Sequence, residues 1–171
     1  NLIDKVWKRK NKFIRTKFYA LPNNSVSNNF FTKIKIIVSK LKKRKADFQF
    51  ITSSENNAWL LNIRGRDSNY TPIPHSYILI DKHKNILFFC DLKKISKSFK
   101  KKFKTIKFLH IDYVDKILIK IRGKKFLIDN STCSFYYEEI INKNNKILNY
   151  NDPIYYLKSI KSNKEIKNIK K

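Results

Sequence analysis

The sequence predicts an α/β domain in which a mixed central sheet is flanked by helices on both faces. Short apolar runs alternate with segments of helical periodicity along most of the chain, a pattern typical of layered α/β folds. Two of these runs, at 76–81 and 86–91, are separated by His83-Lys84-Asn85. That spacing predicts a hairpin, which makes the sheet mixed rather than purely parallel. A length of 171 residues fits one domain with a single buried core.

The chain opens with a basic segment that leads into a long helix. Residues 1–30 are predicted to form a connector, because Pro22 and a run of polar residues interrupt any regular pattern. Trp7 is expected to dock onto a neighbour or onto the edge of the sheet. Residues 31–46 are predicted to form an amphipathic helix with lysines on its outer face. Its inner face carries Ile34, Ile37, Val38 and Leu41.

The segment 53–81 differs from its surroundings in its content of Trp, Arg, Gly and Pro. A serine at position 53 or 54 is expected to cap a short helix, and Trp59 is expected to lie in the core. Gly65 is predicted to end that helix, since glycine adopts the left-handed conformation without steric cost. Pro72 and Pro74 favour extended backbone on the residues before them, so a strand follows from residue 76.

Further helices and strands alternate in the second half of the chain. Helices are predicted at 95–103, 114–121 and 131–142, and strands at 47–52, 106–111, 125–129 and 147–150. Ser131 or Thr132 is expected to cap the last of these helices. The sequence from Ser162 to Glu165 is a capping box, which predicts one more helix that continues to the last residue. We interpret this pattern, together with the absence of any Met, as that of a piece of a longer protein.

The net charge of +26 makes a Lys-rich nucleic-acid-binding module one candidate function. Among the 39 basic residues, however, arginine occurs only at positions 9, 15, 44, 64, 66 and 122. Proteins that read nucleic acids favour arginine, because its guanidinium binds phosphate and guanine with two parallel hydrogen bonds. The joint excess of Lys, Asn, Ile and Phe is typical of A/T-rich coding sequence. We therefore expect no specific nucleic-acid partner, and only nonspecific adhesion at low salt.

Bulk features indicate a cytoplasmic protein without a membrane partner. No run of about 18 apolar residues is present, as a membrane-spanning helix would need. No signal-peptide pattern is visible either. Cys90 and Cys133 are both flanked by core-type residues, and we expect two reduced, buried thiols.

The loop from Asn62 to His75 is the candidate functional site. One interpretation is structural: Arg64 or Arg66 pairs with Asp67 and holds the loop between a helix and a strand. The other is that the loop walls a substrate cleft shared with another domain. Arg64 would then donate hydrogen bonds to a peptide carbonyl or carboxylate. Asn62, Tyr70 and His75 complete this predicted substrate-binding set, with Tyr70 or His75 lining the entrance.

Three segments resemble the three-domain Xaa-Pro aminopeptidases, which belong to the creatinase family of metallopeptidases. A-W-L-L-N-I-R-G-R-D at 58–67, followed by P-I-P-H-S-Y-I-L-I-D at 72–81, is similar to their A-W-L-x-N-x-R-G-x-D segment and the strand after it. N-L-I-D-K-V-W at 1–7 resembles the opening of their middle domain, and residues 152–166 resemble its join to the catalytic domain. The chain departs from the family pattern in its basic charge and at Arg66, where serine is usual.

The resemblance implies a creatinase/prolidase N-terminal domain, whose fold is ribonuclease H-like. It implies a connector from a preceding domain at 1–30, the domain itself at 31–160, and the start of the first catalytic-domain helix at 161–171. The parent enzyme would remove the N-terminal residue from peptides with proline second. Two divalent metal ions, expected to be manganese, would be held in the catalytic domain, which would also form a homodimer. This chain would supply no catalytic residue and no metal ligand.

A magnesium-dependent ribonuclease H-like nuclease is the enzymatic alternative. Four aspartates each end an apolar strand: Asp81, Asp91, Asp112 and Asp129. Carboxylates gathered at strand ends can hold two Mg²⁺ ions for phosphodiester cleavage. Aspartate is also common as a cap of the turn or helix after a strand, and this second interpretation is the simpler one. The three histidines, at positions 75, 83 and 110, show no spacing typical of a transition-metal site.

Overall fold

A computed structural model describes Val6, residues 16–26 and residues 28–170. The strands are β1 (Tyr19–Ala20), β2 (Phe48–Ile51), β3 (Ile63–Arg64), β4 (Tyr77–Asp81), β5 (Ile86–Cys90), β6 (Ile106–His110), β7 (Lys125–Ile128) and β8 (Lys146–Asn149). The helices are α1 (Phe30–Lys43), α2 (Ser54–Leu61), α3 (Lys97–Lys102), α4 (Val114–Lys120), α5 (Phe135–Asn142), α6 (Pro153–Ser159) and α7 (Asn163–Ile169). Single 3₁₀ turns lie at Asn23–Ser25, Leu92–Lys94 and Ile111–Tyr113.

Six strands form a mixed sheet in the order β6-β5-β4-β2-β7-β8. The central pairs β2–β4 and β4–β5 are antiparallel, whereas β5–β6, β2–β7 and β7–β8 are parallel. The predicted hairpin joins β4 to β5, and the Asp81 carboxylate accepts the backbone N–H groups of His83 and Asn85 within its turn. The other two strands, β1 and β3, form a separate antiparallel ribbon with Tyr19 opposite Arg64.

Helices cover both faces of the sheet, as the sequence predicts. Successive side chains of a strand point to opposite faces, so Ile78 and Ile80 of β4 lie in one apolar cluster and Leu79 in another. The first cluster is closed by α1, α2, α3 and α6, and the second by α4 and α5. The α/β architecture with a mixed central sheet is confirmed.

Several predicted helices differ from the observed ones at an end. The helix predicted at 95–103 begins at Lys97, with Ser96 as its cap, and ends at Lys102. The helix predicted at 31–46 ends at Lys43, because Lys45 adopts a positive φ of 53° and turns the chain back toward β2. The helix predicted to begin near residue 131 begins only at Phe135, and its cap is Ser134 rather than Ser131 or Thr132. The Asp129 carboxylate holds the intervening residues in a turn, because it accepts hydrogen bonds from the hydroxyl and the backbone N–H of Ser131.

The prediction for Trp7 lies outside the described residues. In the part of the chain that the structure does describe, no helix has the length and apolar character needed to cross a membrane. Cys90 and Cys133 are free and buried in opposite clusters, and burial raises the pKa of each thiol to about 12. The prediction of two reduced, buried thiols is confirmed.

Candidate functional site

Helix α2 ends in a left-handed turn at Asn62, so the prediction that Gly65 ends it is wrong. Asn62 has φ 55° and ψ 42°, and its N–H donates to the Trp59 carbonyl at 3.3 Å. Asparagine tolerates this conformation because its short amide can form local hydrogen bonds. Here Oδ1 accepts the Lys33 ammonium at 2.6 Å and Nδ2 donates to the Asn28 carbonyl at 2.9 Å.

Gly65 permits a close approach between two segments. A Cβ atom at this position would lie 2.9 Å from Pro74 Cα and 3.0 Å from the ring of Phe18. Phe18 is buried in the first apolar cluster. The N–H of Gly65 donates to the Pro72 carbonyl at 3.2 Å, which closes the base of the loop that follows. Glycine is therefore required here for space and not for a left-handed backbone.

A buried lysine beneath the same turn was not singled out by the sequence analysis. Lys33 is 5% exposed, and its Nζ donates to the Trp59 carbonyl at 2.7 Å and lies 3.8 Å from the Trp59 ring centroid. That carbonyl belongs to the last turn of α2, where the helix dipole is negative. Burial lowers the pKa of Lys33 to about 8, while Glu165 raises it and Arg64 lowers it by smaller amounts.

Arg64 lies against the same helix end. Its Nη1 donates to the Ile63 carbonyl at 2.8 Å and to the Ala58 carbonyl at 3.4 Å. The side chain is half-buried, and this burial lowers the pKa of the guanidinium, with Tyr19 opposing the shift. Lys33 and Arg64 therefore place two cations at the carbonyl end of α2, where the Ala58 and Trp59 carbonyls also accept the Asn62 N–H.

Residues 66–75 form a loop closed by hydrogen bonds across its base. The N–H of Asp67 donates to the Ile73 carbonyl at 3.3 Å. In return, the Asp67 carboxylate accepts the N–H of His75 at 2.8 Å through Oδ2. The two sides of the loop are thus joined by reciprocal bonds around Asp67.

The cation that pairs with Asp67 comes from a distant part of the chain. Lys94, in the 3₁₀ turn after β5, donates to Oδ1 of Asp67. The Asp67 side chain is 3% exposed and that of Lys94 is 12% exposed. The predicted pairing of Asp67 with Arg64 or Arg66 is therefore wrong, although the expectation that an ion pair holds this loop is met by another residue.

The four predicted substrate-binding residues occupy two different environments. Asn62 is buried and Arg64 half-buried, and both bond to the end of α2. Tyr70 is 96% exposed on the loop, and His75 is exposed where the loop returns to the sheet. Trp59 packs against the core from a half-buried position, in agreement with the prediction. The region thus has an inner group that shapes the backbone and an outer group that faces solvent.

The strand-end aspartates serve turns and not a metal site. Asp91 accepts the N–H of Lys93 at 2.9 Å, and Asp112 pairs with His110 at 3.1 Å. Asp129 accepts backbone N–H groups of the segments that follow β7 and β8. Within the described residues, no three His, Cys, Asp or Glu side chains gather in a way that could hold a metal ion. This geometry does not support the nuclease alternative.

A second buried network, also missed by the sequence analysis, attaches α6 to the domain. Asp152 accepts the side-chain amides of Gln49 at 3.0 Å and Asn56 at 2.8 Å, and the N–H of Ile154 at 3.0 Å. Burial raises the pKa of Asp152, whereas these donors oppose the shift. Lys158 of α6 donates to Asn56 at 2.9 Å. This network fixes residues 152–158, which belong to the segment 152–166 that resembles the join to the catalytic domain.

Comparison with known proteins identifies the domain family. The sequence profile of the Creatinase/Prolidase N-terminal domain matches residues 9–165. Xaa-Pro aminopeptidase 1 of Dictyostelium discoideum is 29% identical over 183 residues, which cover 99% of this chain and 28% of that protein. Xaa-Pro aminopeptidase ApepP of Drosophila melanogaster is 28% identical over 179 residues, with coverage of 97% and 28%. The chain therefore spans a little over a quarter of the length of these relatives.

Solved structures share the fold. An X-prolyl aminopeptidase from Caenorhabditis elegans, described as a cytosolic enzyme with a di-nuclear active site, matches with a TM-score of 0.86 at 21% identity. The match covers 98% of this chain and 28% of that one. The N-terminal domain of the cytoplasmic peptidase PepQ from Mycobacterium tuberculosis matches with a TM-score of 0.55 at 10% identity, covering 74% and 98%. Fold and sequence agree, and the chain belongs to the creatinase/prolidase N-terminal domain family.

Proposed function

We propose that this chain is the non-catalytic middle domain of a Xaa-Pro aminopeptidase, a metallopeptidase that removes the N-terminal residue from peptides with proline second. The named relatives that match nearly all of the chain support this assignment. The observation that carries it is the loop 66–75, which is closed at its base while Tyr70 projects into solvent. A loop closed at its base, with an exposed aromatic side chain, is suited to form one wall of a peptide cleft.

The predicted substrate-binding residues have distinct roles in this proposal. Tyr70 and His75 line the cleft entrance, since both are exposed on the loop. Arg64 uses Nη1 to bind the carbonyls of Ala58 in α2 and Ile63 in β3, and its remaining guanidinium donors are directed to a peptide carbonyl or carboxylate. Asn62 sets the direction of the chain from which the loop departs.

Bond cleavage belongs to a catalytic domain that is joined to this one in the parent polypeptide. Two divalent metal ions, which we propose to be manganese, would activate water for attack on the Xaa-Pro bond. Their Asp, His and Glu ligands would come from that domain, which also forms the homodimer contact. Residues 1–30 serve as the connector, 31–160 as the domain and 161–171 as the start of the catalytic domain. The break between α6 and the capping box of α7 supports the second boundary. A cytoplasmic location agrees with the description of the worm enzyme.

Substitutions in the intact enzyme test the cleft-wall role. Tyr70→Ala and Arg64→Ala are expected to lower kcat/KM for long peptides roughly tenfold, about 1.4 kcal/mol of lost transition-state binding. Turnover of short peptides is expected to change little. Phe135→Ala is the control, because Phe135 is also an exposed aromatic residue but lies on α5. Unchanged kcat/KM together with a lowered melting temperature would assign these residues a structural role only.

A further inference from the structure

Within the residues that the structure describes, one buried ion pair, between Asp67 and Lys94, ties the loop 66–75 to the rest of the domain. Asp67 uses one carboxylate oxygen for Lys94 and the other for the N–H of His75. Both side chains of the pair are almost fully buried. A shift of Asp67 would therefore displace His75 at the same time. The backbone bond from Gly65 to Pro72 lies outside this pair and would remain.

Lys94 also joins the loop to the segment that leads into β1. Its backbone carbonyl accepts the N–H of Phe18 at 2.9 Å, while the Lys17 ammonium donates to the Lys93 carbonyl at 2.6 Å. The ring of Phe18 in turn packs beneath Gly65. The 3₁₀ turn at Leu92–Lys94 is thus a fixed point for two segments that are distant from it in sequence.

We infer that Asp67 and Lys94 are positioning residues for the peptide cleft, and that their buried ion pair holds the loop 66–75 in the orientation that presents Tyr70 and His75. This inference rests on the proposed cleft-wall function. Neither residue touches the peptide: each acts through the loop. Neither residue belongs to a paired strand, so breaking the ion pair leaves the register of the sheet in place.

Isosteric substitutions separate the ion pair from the other bonds of the loop. Asp67→Asn keeps an oxygen that can accept the His75 N–H but removes the charge. Lys94→Met keeps the length of the side chain and removes its ammonium group. Each single variant leaves one buried charge without a partner, which is strongly destabilising, whereas the double variant leaves none. The double variant is therefore the one that tests positioning in a folded protein.

Hydrogen exchange in the full 171-residue chain measures the loop directly. In the double variant we expect the N–H groups of Asp67 and His75 to exchange at least roughly tenfold faster than in wild type, while core N–H groups keep their protection. Lys82→Met is the matched control, since it breaks the Lys82–Asp47 ion pair at 2.8 Å elsewhere on the surface. Wild-type protection of both loop N–H groups in the double variant would overturn the inference.

A kinetic measurement on the intact enzyme distinguishes positioning from structural support. We expect the double variant to raise KM for long peptides roughly tenfold, with kcat for short peptides within about twofold of wild type. Lys94→Arg retains the positive charge, and its KM for long peptides should therefore stay close to that of wild type. Faster loop exchange with an unchanged KM would show that the ion pair stabilises the loop. The same result would refute the positioning role of the pair and the cleft-wall function of the loop. An equal loss for short and long peptides would refute positioning alone.

Discussion

Lys33 and Arg64 approach the same end of α2 from different parts of the chain. Each donates to a carbonyl of its last turn, and Lys33 also binds the Asn62 side chain. A short helix gains more from such partners than a long one, because half of its carbonyls lack an intrahelical donor. The burial that makes these bonds possible also disfavours the charged lysine, which is why the pKa of Lys33 falls to about 8.

The first prediction concerns the pH dependence of stability at Lys33. An unfolded lysine titrates near 10.5, whereas Lys33 in the folded protein titrates at about 8. Between these values the unfolded chain holds a proton that the folded protein has released, so stability rises with pH. The free energy of unfolding of wild type minus that of Lys33→Met should therefore increase from below pH 8 toward pH 10.5. Urea unfolding at several pH values measures this difference.

Taking the difference between the two proteins cancels titrations that they share. Lys35→Met, at an exposed lysine of the same helix, is the control for the loss of a lysine side chain that is not buried. A flat difference for Lys33→Met would mean that the Lys33 ammonium keeps its ordinary pKa.

The second prediction compares two glycines that serve different physical needs. Gly65→Ala should lower the free energy of unfolding by about 1–3 kcal/mol, because the new methyl group meets Pro74 and Phe18. Gly123→Ala should cost about 1–2 kcal/mol for another reason, since Gly123 has φ +65° and open space around it. Asparagine should be tolerated at 123 but not at 65. Chemical denaturation of the four variants decides between steric and backbone causes.

Some of the contacts that individual residues make could be predicted from the sequence. Lys33 lies three residues after Phe30 and four before Ile37, on the buried face of α1, so helical spacing was a usable signal for its burial. It was not recognised because lysine is abundant on the opposite face. The Lys94 partner of Asp67 gave no local signal, because 27 residues separate them and only the fold brings them together. Asn62 is not evident as a helix end in the sequence, because a glycine, the more common residue at such an end, follows three residues later.

Helix α6 shows how one buried carboxylate can fix an element. Asp152 caps the helix through the N–H of Ile154 and receives two side-chain amides from β2 and α2. Ile154 then reaches the first apolar cluster. A seven-residue helix is too short to be stable alone. The hydrogen bonds of Asp152 and the burial of Ile154 provide the additional stability.

The third prediction tests that anchor. Asp152→Ala should lower the free energy of unfolding by about 2–3 kcal/mol, because the buried amides of Gln49 and Asn56 lose their acceptor. Asp112→Ala removes a carboxylate whose side chain is 77% exposed, and should cost less than about 0.5 kcal/mol. Equal effects of the two substitutions in urea unfolding would contradict the anchoring role.

Element predictions succeeded where a single periodicity dominated. The strands at 76–81 and 86–91 consist of apolar residues with a short polar turn between them, and they agree with β4 and β5. The start of α5 is ambiguous in the sequence because several residues from 131 to 134 can cap a helix. Asp129 decides between them by holding the first of these residues in a turn. This choice is settled by a side-chain hydrogen bond between residues two apart in the chain, which competes with the helix for the same backbone groups.

At the scale of the whole molecule, the mixed character of the sheet followed from one hairpin, but its strand order did not. β2 lies between β4 and β7, which begin 29 and 77 residues after it. Such pairings depend on how the connecting helices cover the two faces, and apolar patterns do not specify that order. The family resemblance in the sequence led to the same fold as the solved structures.

The fourth prediction concerns the activity of the chain alone. If bond cleavage belongs to a separate catalytic domain, the isolated 171-residue chain should not hydrolyse Xaa-Pro peptides. Addition of Mn²⁺ should not change this result. A chromogenic Xaa-Pro assay with and without Mn²⁺ is the measurement, and circular dichroism of the same sample confirms that the chain is folded. Sustained turnover by the folded chain would contradict the proposed division of labour.

The contact between Phe18 and the backbone of Gly65 has a consequence for sequence variation. Because that space is bounded by the Phe18 ring and by Pro74 Cα, an alanine at position 65 needs both a smaller side chain at position 18 and a shift of the Pro74 backbone. Members of the family with alanine in place of this glycine should therefore carry a smaller side chain at the position of Phe18. The steric constraint on the motif at 58–67 thus includes Phe18, which lies 47 positions before Gly65.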